Sequence, residues 1–130
     1  MFLSALEDFD YRPHVVDGEL ERGSVVTQTA IVWDSSIGPI DVSIGFVSDL
    51  ASLPWYTALL FKKLGKHQRA AILHDWLYRN KIGNKNWADG QFKLAMIEDK
   101  VKWWRRKIII AALKFGGHKA WLFPKEVLIV

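Results

Sequence analysis

The chain has 130 residues, half of them hydrophobic and a quarter charged, and this size and composition suit one folded domain. It contains no cysteine, which excludes disulfides and cysteine-ligated zinc. No apolar run reaches the roughly 20 residues that a membrane span requires. The opening MFLSALEDFDYR lacks the basic start and the long apolar stretch of a signal peptide.

Charge is distributed unevenly along the chain. Residues 1–61 hold nine acidic and two basic side chains, a net charge of −7, whereas residues 62–130 hold sixteen basic and five acidic ones, a net charge of +11. A basic second half suits an anionic partner such as lipid headgroups, nucleic acid or an acidic protein surface. Alternatively, the basic half folds back on the acidic half.

The first 47 residues carry strand patterns. Asp17-Gly18 is a hairpin signal. Residues 25–33 alternate and are rich in β-branched side chains, which predicts one strand, and residues 39–46 predict a returning strand after a turn at 34–38. We expect a small antiparallel sheet or a pair of hairpins.

The patterns become helical after that point. We predict helices over residues 54–64, 66–80, 87–99 and 101–115, of which the second should be central and the fourth should end at Gly116-Gly117. The predicted fold class is α+β in a single domain, mainly β over 1–48 and mainly α over 49–117, with a tail over 118–130 that includes a possible last strand.

The helix over 66–80 contains two residues that could do chemistry, His74 and Asp75. Adjacent helical residues point about 100° apart, so they would serve neighbouring purposes, one as a base and the other as a ligand or orienter. Tyr78 shares the face of His74. The alternative is a core histidine bonded to a backbone carbonyl, with Asp75 on the solvent side.

Two further carboxylates could complete a site. Asp89 lies in line with Phe92 and Met96 on an inward face, where a buried carboxylate needs a partner such as His74. Alternatively, it serves the helix start in a capping box with Asn86 as the N-cap. Asp49, in the loop GFVSDLASLP, either contributes to a calcium site or caps the helix that follows it.

Together these residues predict a metal-assisted ester hydrolase. His74 would act as general base on a water molecule and Asp89 would orient it. Asp75 and Asp49, with loop carbonyls, would hold calcium, which would stabilise the oxyanion.

Two resemblances bear on this hypothesis. GFVSDLASLP, RAAILHDWLY and ADGQFKLAM, in this order, resemble the phage and prophage family numbered 1353 among domains of unknown function, over about residues 40–115. That resemblance implies a tailed-phage or prophage origin, in the virion or in the host bacterial cell, and no established activity.

More distantly, HDWLY is similar to the His-Asp-x-Cys-Tyr helix of secreted phospholipase A2. The resemblance implies a phospholipase A2-like helical core with His74 as base, Asp89 as its orienter and Tyr78 as support. It also implies a calcium cofactor held by Asp75 and by an Asp-Leu pair, Asp49 through its side chain and Leu50 through its carbonyl. The chain departs from that pattern, since Leu77 replaces the cysteine and the glycine-rich calcium loop is absent.

Residues 101–115, VKWWRRKIIIAALKF, place tryptophan and basic residues beside an apolar block, which suits adsorption to an anionic phospholipid surface. The alternative is a core helix with Trp104, Ile108 and Ala111 or Leu113 inward. Nucleic acid fits the charge but no recognition signature. The functions that we weigh are therefore a calcium-dependent lipid or ester hydrolase, acting on the host membrane at phage entry or lysis, and a non-catalytic tail or tail-tip protein of the virion that keeps the same fold. A third is a small intracellular protein that acts on a host target.

Overall fold

The computed structural model of the chain describes residues 1–49 and 67–130. In these ranges it is an α+β fold, as predicted, with small antiparallel sheets packed against helices. The helix predicted over 54–64 lies outside the described residues, and so does Leu50. None of the helices in the described ranges combines the length and the hydropathy of a membrane-spanning segment.

Two hairpins make up the β part. Strands β1 (Tyr11–Val16) and β2 (Glu19–Thr27) pair antiparallel, and β2 also pairs with the short β5 (Val47–Ser48). Strands β3 (Ile31–Ser35) and β4 (Gly38–Val42) form a separate two-stranded sheet. The predicted hairpin signal at Asp17-Gly18 is confirmed, with both residues at positive φ as a tight turn requires.

The single strand predicted over 25–33 is wrong, because β2 ends at Thr27 and β3 begins at Ile31. The hydroxyl of Thr27 donates to the Ser43 carbonyl (2.8 Å) and accepts from the Phe46 amide (3.0 Å). The Gln28 amide donates to the Asp10 carbonyl, 2.9 Å away. These bonds fix a bend between two sheets, and an alternating pattern of β-branched residues does not reveal such a bend.

Three α-helices follow in the part of the chain that the structure describes, α1 (Gln68–Arg79), α2 (Lys85–Glu98) and α3 (Trp103–Leu122). Helix α1 is central, as predicted, with nine of its twelve residues buried. Helix α2 begins two residues before the predicted start, because Asn84 rather than Asn86 is the N-cap and accepts a bond of 2.8 Å from the Trp87 amide.

Helix α3 continues through Gly116-Gly117, so the predicted helix end there is wrong. Neither glycine has a positive φ. A Cβ atom at Gly117 would lie 3.2 Å from the Tyr78 hydroxyl and 3.2 Å from Cε of Lys85. Gly117 therefore permits close packing of α3 on α1 and α2, and it does not terminate the helix.

The buried side of α3 consists of Ile109, Ala112, Leu113 and Gly117. Of the residues predicted inward, Leu113 is confirmed, whereas Trp104, Ile108 and Ala111 are exposed. The apolar run of three isoleucines and two alanines surrounds the whole helix, so the sequence does not fix which side packs. Exposed aromatic and aliphatic side chains thus remain on the outer side of α3.

The core joins both halves of the described chain. Trp33 and Phe46 of the β part are buried together with Leu73 of α1, Phe92 of α2 and Ile109 of α3. After α3, residues 124–130 cross back to the β part, where the Val47 amide donates to the Leu128 carbonyl and the Val130 amide donates to the Gly45 carbonyl. The predicted last strand is present only as one bridge, between Phe46 and Ile129.

Candidate functional site

A buried histidine joins α1 to α2 and forms the centre of the site. Nε2 of His74 lies 2.8 Å from Oδ1 of Asp89, and the Tyr78 hydroxyl donates to the same oxygen over 2.6 Å. The Lys85 ammonium donates to Oδ2 of Asp89 over 2.9 Å. We call these four residues the His74 network. His74 and Tyr78 converge because they lie one turn apart on α1.

The network holds His74 neutral and Asp89 ionised. Burial lowers the pKa of His74, and it outweighs the opposite effect of the Asp89 carboxylate. Burial alone would raise the pKa of Asp89, but hydrogen bonds from His74, Tyr78 and Lys85 lower it overall. Burial, together with the bond to Asp89, raises the pKa of the Tyr78 phenol. A neutral imidazole beside an ionised carboxylate is the state that a general base requires at neutral pH.

The second ring nitrogen of His74, Nδ1, is the atom of the network that is able to accept a proton. With Nε2 committed to Asp89, the neutral tautomer leaves Nδ1 as an acceptor. Nδ1 is buried and has no hydrogen-bond partner among the described residues. The rings of Tyr78 and Phe92 lie against the imidazole, with centroids 4.1 and 4.6 Å away, and hold it in place. A buried polar atom of this kind needs a partner, which water or a substrate would supply.

Beside the network lie the two carboxylates of Asp75 and Asp49, which we call the acid pair. Oδ1 of Asp75 accepts from Nε of Arg79 at 2.9 Å, and its Oδ2 accepts from the Ser48 hydroxyl at 2.8 Å and from the Asp49 amide at 3.2 Å. Oδ2 of Asp49 lies 2.9 Å from the Lys125 ammonium and 3.7 Å from Nη2 of Arg79. Two cations among the described residues, Arg79 and Lys125, thus lie beside the two carboxylates.

Burial is the main influence on Asp75, whose pKa rises to about 6. The charge of Asp49 raises it further, while Arg79 and the Ser48 hydroxyl oppose the rise. The alternative in which Asp75 faces solvent is therefore wrong, since only 7% of the residue is exposed.

A cavity of about 360 Å³ connects the network with the acid pair. One wall carries His74, Tyr78 and residues of the acid pair with Arg79. The rest of the lining comes from the end of α3 and the segment after it, through Gly116, Lys119, Ala120, Phe123, Pro124 and Lys125. The volume of the cavity lies at the lower end of the range of small-molecule sites.

The structure brings together the residues that the sequence singled out as a base and its orienter. His74, Asp89 and Tyr78 are in direct contact, so the contact between His74 and Asp89 is confirmed, and the capping box with Asn86 is wrong. Asp49 and Asp75 are neighbours through the bond from the Asp49 amide. Leu50, the fifth residue of the predicted site, lies outside the described residues.

The acid pair as arranged does not fit the calcium ion that the phospholipase resemblance implies. Calcium takes six to eight oxygen ligands and prefers ionised carboxylates. Both oxygens of Asp75 are already bonded, one of them to the guanidinium of Arg79.

Sequence reasoning missed three basic residues of the site. Arg79 is four residues after Asp75, and Lys85 is four residues before Asp89, which are ion-pair spacings on a helix. Those spacings were readable in the sequence. Lys125 was not predictable, because it meets Asp49 across 76 residues of chain.

The site is thus a buried His-Asp pair at the wall of a cavity in an α+β fold. The chain belongs to the family described as "Protein of unknown function (DUF1353)", whose sequence profile matches residues 24–113. A search of curated proteins finds no match. A search of solved structures finds none either. The His74 network and the acid pair lie inside the matched range, whereas the α3 wall of the cavity lies beyond it.

Proposed function

We propose that this protein is an ester hydrolase in which His74 is the general base. One observation carries the proposal: Asp89 holds Nε2 of a buried, neutral imidazole, while Nδ1 has no protein partner among the described residues and His74 lines a cavity. A carboxylate on one ring nitrogen fixes the tautomer and leaves the other nitrogen basic.

The reaction follows from this placement. Nδ1 accepts a proton from a water molecule in the cavity as the water oxygen bonds to the carbonyl carbon of the ester. The resulting imidazolium is stabilised by the ionised Asp89. When the tetrahedral intermediate collapses, the bond to the alkoxide breaks and the proton on Nδ1 passes to that oxygen. The products are a carboxylic acid and an alcohol, and the base is regenerated.

Negative charge on the carbonyl oxygen needs a partner in the same cavity. Arg79 lines the cavity, and the guanidinium has five N–H donors. Nε donates to Asp75 and Nη1 donates to the Glu126 carbonyl, 3.2 Å away. The second hydrogen of Nη1 and those of Nη2, which lies 3.7 Å from Oδ2 of Asp49, would stabilise a developing oxyanion in this cavity.

The outer surface of α3 favours a lipid ester as the substrate. Trp103 and Phe115 are exposed and line a groove together with four basic residues, Lys93, Arg106, Lys107 and Lys114, and Phe123 is exposed just after the end of α3. Aromatic and basic side chains on one helix suit an anionic membrane surface. We therefore propose the phospholipid membrane of a bacterial host as the place of action, during phage entry or lysis.

The test is hydrolysis of phosphatidylglycerol vesicles, measured as released fatty acid. His74→Gln, which keeps much of the side-chain volume, should lower the rate by about 10²–10⁴-fold, the usual contribution of a general base. His118→Ala, an exposed position on α3 that does not line the cavity, is the matched control and should retain the wild-type rate. Thermal unfolding of both variants checks that they are folded.

Wild-type protein that releases no fatty acid from vesicles and no acid from soluble esters would contradict the proposal. A His74→Gln variant with an unchanged rate would do so as well. Either result would leave the virion structural protein as the function to examine, by analysis of purified particles.

A further inference from the structure

Arg79 is the buried cation beside the acid pair. Arg79 is 93% buried, because only 7% of its side chain is exposed. Its guanidinium is fixed by Nε on Asp75, by Nη1 on the Glu126 carbonyl and by the ring of Phe46, 5.4 Å from the guanidinium carbon. It is therefore an ordered part of the site and not a surface arginine that happens to lie near a carboxylate.

Among the described residues, the charges around the acid pair are balanced without a metal. Asp75 and Asp49 carry two negative charges when ionised, and Arg79 and Lys125 carry two positive charges. A divalent ion on the Asp75 carboxylate would lie beside the guanidinium, and like charges repel strongly in a buried site. Calcium bound to Asp75 would therefore compete with Arg79 for the same carboxylate.

We propose that Arg79 is the resident cation of the acid pair, occupying the position that the phospholipase resemblance assigns to calcium, so that the site works without a metal ion. The part of this inference that concerns catalysis rests on the proposed function. The part that concerns cation binding does not, because it follows from the contacts of Asp75 and Arg79 alone.

Unlike a metal ion, Arg79 is part of the chain. Four residues separate it from Asp75 on one face of α1, so the ion pair forms as soon as the helix does. Because Arg79 is covalently part of the chain, its guanidinium is present in the cavity that His74 also lines, whatever the calcium concentration.

The test is the melting temperature in EDTA and in 0.1–10 mM CaCl2, with MgCl2 at equal ionic strength as the ion control. The wild type should show no calcium-specific shift. Arg79→Ala should become calcium-responsive, because its two carboxylates lose their buried cation, and the response should disappear in Arg79→Ala combined with Asp75→Asn. Lys119→Ala is the matched control, since Lys119 lines the same cavity without an ion pair to the acid pair in the described residues, and it should stay unresponsive.

A native-state site at hundredfold excess of ligand over Kd raises the melting temperature on the order of 10 °C in a chain of this size, so the readout is sensitive. A calcium-specific rise in the wild type that Asp75→Asn abolishes would overturn the inference. A folded Arg79→Ala variant that responds no more than the wild type would overturn it too. If alanine prevents folding, Arg79→Gln replaces it and is judged by the same outcomes.

The calcium response of the melting temperature is measured without substrate, so it tests the resident cation independently of the hydrolase proposal. A His74→Gln variant that hydrolyses at the wild-type rate refutes the hydrolase proposal but does not affect the proposal that Arg79 is the resident cation. In turn, hydrolysis by the wild type that EDTA abolishes and calcium restores would refute the resident cation while supporting the hydrolase.

Discussion

Replacing Asp89 by Asn tests the His74 network most directly. Asn keeps the shape of the side chain but removes its charge and turns one acceptor atom into a donor. Oδ1 would still accept from Tyr78 and His74, but the new amide nitrogen would face the Lys85 ammonium, which is itself a donor. The bond from Lys85 is therefore lost, and the bonds from Tyr78 and His74 are weakened.

The cost follows from the three contacts. Hydrogen bonds to a charged group contribute about 1.5–3 kcal/mol, against about 0.5–1.5 kcal/mol for neutral ones. Loss of the Lys85 bond costs about 2 kcal/mol, and weakening of the other two costs about 1 kcal/mol each. We expect Asp89→Asn to lower the free energy of unfolding by about 4 kcal/mol at pH 7, which lowers Tm by roughly 15 °C.

Urea unfolding of the wild type and the variant measures this difference. The pKa of Asp89 is lowered in the folded state, so its stabilisation is complete above its ordinary value of 3.8 and is lost as the pH falls through the folded pKa. The gap between the two proteins should therefore be full at pH 7 and narrow below about pH 4. Asp41→Asn, on the exposed side of β4, should change stability by less than about 0.5 kcal/mol. A cost for Asp89→Asn below about 1 kcal/mol would refute the reasoning.

Two further predictions concern the packing of α3 and the acid pair. Gly117→Ala should destabilise the protein by about 1 kcal/mol, because its Cβ would crowd the Tyr78 hydroxyl, which Asp89 holds in place. Gly116→Ala has no atom within 4 Å of the new Cβ and should stabilise the protein by up to about 1 kcal/mol. Equal effects of the two variants in thermal unfolding would contradict this packing. For Asp75, whose folded pKa of about 6 exceeds its ordinary value of 3.8, the stability of the wild type relative to Asp75→Asn should fall by about 2–3 kcal/mol as the pH rises from 4 to 6. A difference that is constant over this window would show that Asp75 ionises normally.

Local patterns in the sequence predicted the parts of the fold that local interactions decide. The Asp17-Gly18 turn requires residues that tolerate positive φ, and the burial of α1 follows from apolar positions around most of its circumference. The contact of His74 with Asp89 was predictable for a similar reason. A carboxylate on an inward face needs a polar partner, and the sequence offered His74 as one.

Features that depend on distant contacts were not predictable. A glycine pair normally indicates a helix end, but at Gly117 the deciding contact is with Tyr78, on another helix. The bend between β2 and β3 depends on what Thr27 meets across the sheet, at Ser43 and Phe46. The partners of the acid pair include Lys125, which only the return of the chain after α3 brings to Asp49.

That returning segment, residues 124–130, is hydrogen-bonded to the rest of the described chain through backbone atoms and through the Lys125 side chain, which binds Asp49. Arg79 binds the carbonyl of Glu126, Val47 binds the carbonyl of Leu128, and the Val130 amide binds Gly45. Main-chain atoms are the same whatever the side chain, so these bonds place few demands on the sequence of the segment. Because the family match ends at residue 113, a chimera that exchanges residues 124–130 but keeps Lys125 would alter part of the cavity lining and leave the imidazole and its carboxylate unchanged. The fold thus separates the part of the molecule that would transfer protons from the part that would select what enters.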